Sequence, residues 1–129
     1  MRHLFALPVF CAAMAACAAP GGGPPGPITL ALHASAQIAP GLTLTYDSVE
    51  DSRCPPGVHC VWAGVLAYHF SLQGKNGPAE RFELQPGKPG HASALLPGAR
   101  IELDESIAAS PPPQGAAPTL PVRLRVKPA

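Results

Sequence analysis

From residue 28 onward apolar positions alternate with polar ones, a period that sends successive side chains to opposite faces of a β-strand. Ile28, Leu30 and Leu32 alternate with Thr29, Ala31 and His33, and Leu42, Leu44 and Tyr46 alternate with Thr43 and Thr45. Both patterns predict half-buried strands. Leu66, Tyr68, Phe70 and Leu72 share one face of a longer strand whose other face carries Val65, Ala67, His69 and Ser71, which predicts a central strand. Asn76-Gly77 supplies two residues that tolerate positive φ, and Phe82 and Leu84 follow Pro78, so a hairpin is predicted from Val65 to Leu84. Residues 85–98 set Gly87, Gly90 and Gly98 and three prolines around Ala94, Leu95 and Leu96, a loop with room for one short strand. Ile101 and Leu103 mark a further strand, and Leu120, Val122, Leu124 and Val126 alternate with Arg123, Arg125 and Lys127 in a closing one. Asp104 to Ser110 leaves room for one helical turn, and the SPPPQGAAP segment after it is a Pro-rich crossing. Six or seven short strands without a long amphipathic segment predict an all-β domain, a small antiparallel β-sandwich or barrel.

Composition supports that reading. The 129 residues include 18 Pro and 13 Gly, about a quarter of the chain, which excludes a mainly helical protein. Charged residues make up 13% and apolar ones 47%, far from the signature of disorder. A formal charge of +1 provides no long-range field, so no nucleic-acid partner is expected. The basic stripe Arg123, Arg125 and Lys127 reads as a solvated strand face that discourages edge pairing, ahead of contact with anionic lipid or a partner.

Residues 1–16 form an export signal: a basic head of Arg2 and His3, then an apolar run too short to span a bilayer. Met14-Ala15-Ala16-Cys17 resembles the lipobox of bacterial lipoproteins, although Met14 stands where Leu or Val is more usual. The resemblance implies that Cys17 is acylated and becomes the first residue, anchoring the protein to a membrane and most naturally to the outer membrane, facing the periplasm. The alternative is ordinary signal cleavage at an A-x-A-like site, which leaves a soluble periplasmic protein. Residues 17–27 then read as a lipidated cysteine and a Pro/Gly tether, and 28–129 as one β-domain. Gly21, Gly23 and Gly26 satisfy G-x-G-x-x-G, but no strand precedes them and no helix can start through Pro24 and Pro25, so dinucleotide binding is rejected.

The informative motif is DSRCPPGVHCVWAG, Asp51 to Gly64. Cys54 and Cys60 enclose Pro55, Pro56, Gly57, Val58 and His59, a span that a Pro-Pro-Gly turn can close. In an exported chain the default is a disulfide. The alternative is a copper or zinc site using Cys54, His59 and Cys60, although this spacing departs from the usual C-x2-C pair. Trp62 lies two residues beyond Cys60 and is expected to pack over the disulfide as core; its other reading is an exposed aromatic anchor for a partner. Glu50 and Asp51 sit near Arg53, which favours turn capping and an ion pair over a paired-carboxylate site.

VEDSRCPPGVHCVWAG, residues 49–64, resembles the signature of a group of small bacterial exported proteins and lipoproteins: a Val-x-Asp-Ser-Arg-Cys-Pro run, a second Cys, an apolar residue, then Trp-Ala-Gly. The resemblance implies that the disulfide loop, Arg53 and Trp62 matter to the scaffold, and it brings no catalytic residues. The Pro-rich segment 111–118 departs from it, where a shorter connection with an aromatic is expected.

The sequence carries no G-x-S-x-G, H-E-x-x-H, C-x-x-C or P-loop lysine motif, so neither an enzyme nor a cofactor is expected. The leading expectation is a non-catalytic envelope lipoprotein binding another envelope component through Arg53, the Pro55–His59 turn and Trp62. The alternatives are a periplasmic small-ligand or metal-binding protein, and a peptidase inhibitor presenting the Cys54–Cys60 loop.

Overall fold

The computed structural model describes residues 26–105 and 110–129. The signal segment, Cys17 and most of the tether lie outside the described residues, as does most of the helical turn expected after Asp104. Eight strands run in chain order: β1 (Ile28–Leu30), β2 (Ser35–Ala39), β3 (Leu42–Asp51), β4 (Leu66–Gln73), β5 (Glu80–Leu84), β6 (His91–Ala92), β7 (Ala99–Leu103) and β8 (Val122–Pro128). They form two four-stranded antiparallel sheets, ordered β1-β8-β7-β6 and β2-β3-β4-β5. The protein is all-β, a small sandwich, with no helix among the described residues.

The alternating pattern sets which face is buried. Leu42, Leu44 and Tyr46 of β3 and Leu66, Tyr68, Phe70 and Leu72 of β4 point into the sandwich, where they meet Leu30, Ile101, Val122 and Leu124 from the other sheet. Burying each of these leucines stabilises by about 1.5–3 kcal/mol. Rings at Tyr46, Phe70 and Phe82 continue across β3, β4 and β5 with centroids 5.5 and 5.4 Å apart. Phe82 then stacks on His91 of β6 at 4.1 Å, so the row crosses from one sheet to the other. Glu80 binds the His91 ring and accepts from Ser93 Oγ at 2.9 Å, which ties the same two edges together. These hydrogen bonds, that of His91 first, hold the Glu80 carboxyl below its ordinary value. The Tyr46 hydroxyl donates to the carbonyl of Leu120 at 2.8 Å, a second bridge between the layers.

Four local expectations change and one strand, β2, is new. The first strand stops at Leu30, because the chain must leave one sheet for the other: Ala34 N–H donates to Ala31 O, and His33 takes the left-handed φ of 69°. β2 was not legible, since Ser35–Ala39 carries one large apolar residue, Ile38. The β4–β5 hairpin forms, but across residues 74–79, and of Asn76 and Gly77 only Gly77 has positive φ. The short strand in residues 85–98 is His91–Ala92 rather than the apolar patch. The basic strand β8 is no edge: it lies between β1 and β7. Arg123 and Arg125 both reach Asp104 Oδ2 at 3.2 Å and Lys127 reaches Glu102 at 2.8 Å, so the stripe is matched by acids of β7 and the residue after it.

Candidate functional site

The DSRCPPGVHCVWAG motif is the connection between β3 and β4, and a bulge inside β3 decides how it starts. Register shifts at Asp47, so Tyr46 pairs with Phe70 but Ser48 pairs with His69. One extra residue reverses the inward phase of the strand. Val49 and Asp51, rather than Ser48 and Glu50, therefore follow Tyr46 toward the interior, opposite Tyr68 and Leu66. The Asp51 side chain has no solvent exposure, and Arg53 closes on it: Nη2 to Oδ2 at 2.7 Å, Nε to Oδ1 at 2.9 Å and the Arg53 amide to Oδ1 at 3.2 Å. The Arg53 hydrogen bonds hold the Asp51 carboxyl below the usual carboxylate range, against the opposing effect of burial. Burial raises the neighbouring Tyr68 hydroxyl. The ion pair expected at Arg53 is thus formed with Asp51, and its role is to anchor the loop's first turn.

Just beyond that pair the loop has a neck. Ser52 N–H donates to Val65 O at 2.9 Å, and Val65 N–H donates to Ser52 Oγ at 2.9 Å. Gly64 is required there: its φ is +72°, and a Cβ would stand 2.0 Å from Ser52 O. The two ends of the loop are thus tied to each other, and between them Arg53, Cys54 and Pro55 are partly buried while residues 56–64 are exposed.

The disulfide forms within that loop. Cys54 and Cys60 are joined, with Cα atoms 5.7 Å apart. The expected Pro-Pro-Gly turn closes it, with Val58 N–H donating to Pro55 O at 3.3 Å and Gly57 at φ +77°. With both sulfurs bonded to each other, the two thiolates of the alternative copper or zinc site are consumed. Among the described residues no group of three or more His, Cys, Asp or Glu could hold a metal ion.

Trp62 does not pack over the disulfide. It is 82% exposed, and Val61 beside it is 91% exposed. The expectation of a core tryptophan assumed extended backbone after Cys60; the chain instead bends at Val61 and Trp62 and turns back at Gly64, carrying the indole outward. His59 is exposed as well. Among the described residues the exposed large apolar side chains are Val58, Val61, Trp62, Val65 and Leu95, so four of the five belong to this one loop. Isolated exposed apolar residues are ordinary, but such a concentration in one connection, with Val58 inside the disulfide ring and Val61, Trp62 and Val65 just after it, makes this the candidate site.

Beside the neck lies a second feature for which the chain gives no local signal. A cleft of about 480 Å³ opens at this end of the sandwich, lined by buried Leu66, Tyr68 and Val122, by Leu120, and by Arg53 and Arg123. Its walls come from both sheets and from the loop neck, segments far apart in sequence.

Comparisons with protein-family models, with curated proteins and with solved structures find no match.

Proposed function

We propose that this chain is a non-catalytic cell-envelope lipoprotein: exported by residues 1–16, held at the outer membrane facing the periplasm by acylated Cys17, and engaging another envelope component through its disulfide-closed loop. The observation that carries the reading is the loop itself. A folded protein gains stability by burying Trp and Val, yet here Val61 and Trp62 stand almost fully in water on a loop fixed at its base by Ser52, Gly64 and the Asp51–Arg53 pair. Pre-ordering of this kind lowers the entropic cost of docking. The likeness of residues 49–64 to small bacterial exported proteins and the lipobox-like run ending at Cys17 support the envelope location.

The test has an anchoring arm and a loop arm. Fatty-acid labelling of the full chain is expected to mark the protein and to vanish in Cys17→Ser; an unlabelled soluble protein beginning after Ala16 would overturn the anchor. The Cys17→Ser chain, exported behind an ordinary cleavable leader, is expected to sediment in part with isolated envelopes, and less so with Trp62→Ser added. Equal sedimentation of the two would overturn the role of the loop.

The cleft supports a second reading, carriage of a small apolar ligand in the periplasm. Native mass spectrometry of the same exported chain separates the two, since a carrier retains added mass that is lost on denaturation.

A further inference from the structure

We infer that the 53–64 loop is a membrane-docking element, in which Val61 and Trp62 enter the headgroup region of an electrically neutral bilayer surface and lay the domain against it. This rests on the loop's role proposed above and names the envelope component it engages.

Charge is the first reason. From Cys54 to Leu66 the sequence contains no Lys, Arg, Asp or Glu, and His59 is its single titratable side chain apart from the bonded cysteines. Arg53, at the base, has its guanidinium bonded to Asp51. Protein-docking tryptophans sit inside a polar rim that fixes orientation, whereas here the charged side chains nearest in the structure, Arg53, Asp104, Glu105 and Arg123, line the cleft beside the neck and the segment that carries Val61 and Trp62 is itself uncharged. Entry into a bilayer demands the opposite, because each charge carried inward is costly.

Shape is the second. Val61 and Trp62 stand at 91% and 82% exposure, and Val58 and Val65 of the same connection are exposed as well. A soft lipid surface receives such side chains without a matching pocket, and Trp favours the membrane–water interface, with its ring in apolar surroundings and its N–H hydrated. The short segment that carries Val61 and Trp62 is held on one side by the Cys54–Cys60 ring and on the other by the Ser52–Val65 neck, which limits the ordering that insertion must still supply. Docking at headgroup depth also leaves the loop's backbone groups in contact with water, which deeper insertion would forbid.

Reach is the third. Nine residues separate an acylated Cys17 from Gly26, counting Cys17 itself, and even fully extended they span only on the order of 30 Å. The domain then stays within its own length of the bilayer, so a contact too weak to recruit a free protein is populated by the tethered one.

Trp62 is the chain's one tryptophan, so its fluorescence reports on this site alone. The exported Cys17→Ser chain, disulfide intact, is titrated with phosphatidylcholine vesicles. The expected result is a blue shift of the emission, quenching by lipids brominated near the headgroup end of the acyl chain, and no weakening at high salt. Trp62→Ser is expected to weaken vesicle sedimentation by about tenfold or more. Val61→Asp, which retains the probe, is expected to abolish both the shift and the quenching. Both positions are exposed, so unchanged thermal melts show that each variant is folded. Emission unmoved by saturating vesicles overturns the inference, and so does binding that needs anionic lipid and fails at high salt. If vesicles fail while envelope sedimentation still depends on Trp62, the inference falls and the loop engages a different envelope component; if both fail, the loop has no docking role.

Discussion

Asp51 offers the sharpest test of how the loop is held, because its carboxylate is buried by a register shift in β3 and matched by one cation. Replacing it with Asn keeps the shape and removes the charge. The wild-type carboxylate accepts two side-chain hydrogen bonds from Arg53, at 2.7 and 2.9 Å, and a third from its amide at 3.2 Å. An Asn oxygen can replace one of the two guanidinium bonds, while its NH2 group faces the donors of the other. Breaking a fully buried pair by removing one partner costs about 3–5 kcal/mol, and Arg53 retains access to water, so the expected loss is about 2–3 kcal/mol at neutral pH. Chemical denaturation of both proteins from neutral to acid pH measures it. The sign follows from Asp51 being held below its ordinary value in the folded state. Such a group contributes stability that is complete above the unfolded carboxyl value of about 4 and is lost as pH falls through the folded one. The gap between wild type and Asp51→Asn must therefore narrow below about pH 4 as the wild-type carboxyl takes up its proton. A gap that stays constant into acid, or is under about 0.5 kcal/mol at neutral pH, would refute the buried pair as the loop's anchor.

Three further outcomes are expected. Cys54→Ser and Cys60→Ser should each cost about 2 kcal/mol in denaturant melts, equally, because each opens the same small ring; unequal losses would mean that one sulfur has a separate role. Trp62→Ser should change thermal stability by less than about 0.5 kcal/mol, as befits an exposed side chain, and a loss of several kcal/mol would place the indole in the core after all. Tyr46→Phe should cost about 1–2 kcal/mol by leaving the Leu120 carbonyl without its donor across the sandwich, and a neutral result in calorimetry would show that water replaces the hydroxyl.

Much of the loop's covalent and turn chemistry was legible in the chain. Export context and the Cys54–Cys60 spacing pointed to a disulfide, and Pro55-Pro56-Gly57 pointed to the turn that closes it. The direction of Trp62 was not legible, since two residues of separation from Cys60 fix a side only if the backbone is extended, and the bend before Gly64 removes that condition. Nor was the choice between Glu50 and Asp51, because nothing local announces the bulge at Asp47.

What the sequence determined by itself is what depends on near neighbours. Period-two alternation in Leu42–Tyr46, Leu66–Leu72 and Val122–Val126 dictates extended chain with one apolar face, since successive side chains of a strand must point opposite ways. Tertiary structure alone decided which strands share a sheet. Ile28–Leu30 pairs with Val122–Leu124 across almost the whole domain, which places β8 inside its sheet and turns a basic stripe into partners for Asp104 and Glu102. The cleft beside Arg53 arises in the same way, from segments that meet only on folding. The physical reason is that alternation is a steric property of a few adjacent residues. Register, sheet membership and exposure follow from how the two sheets bury their apolar faces against each other.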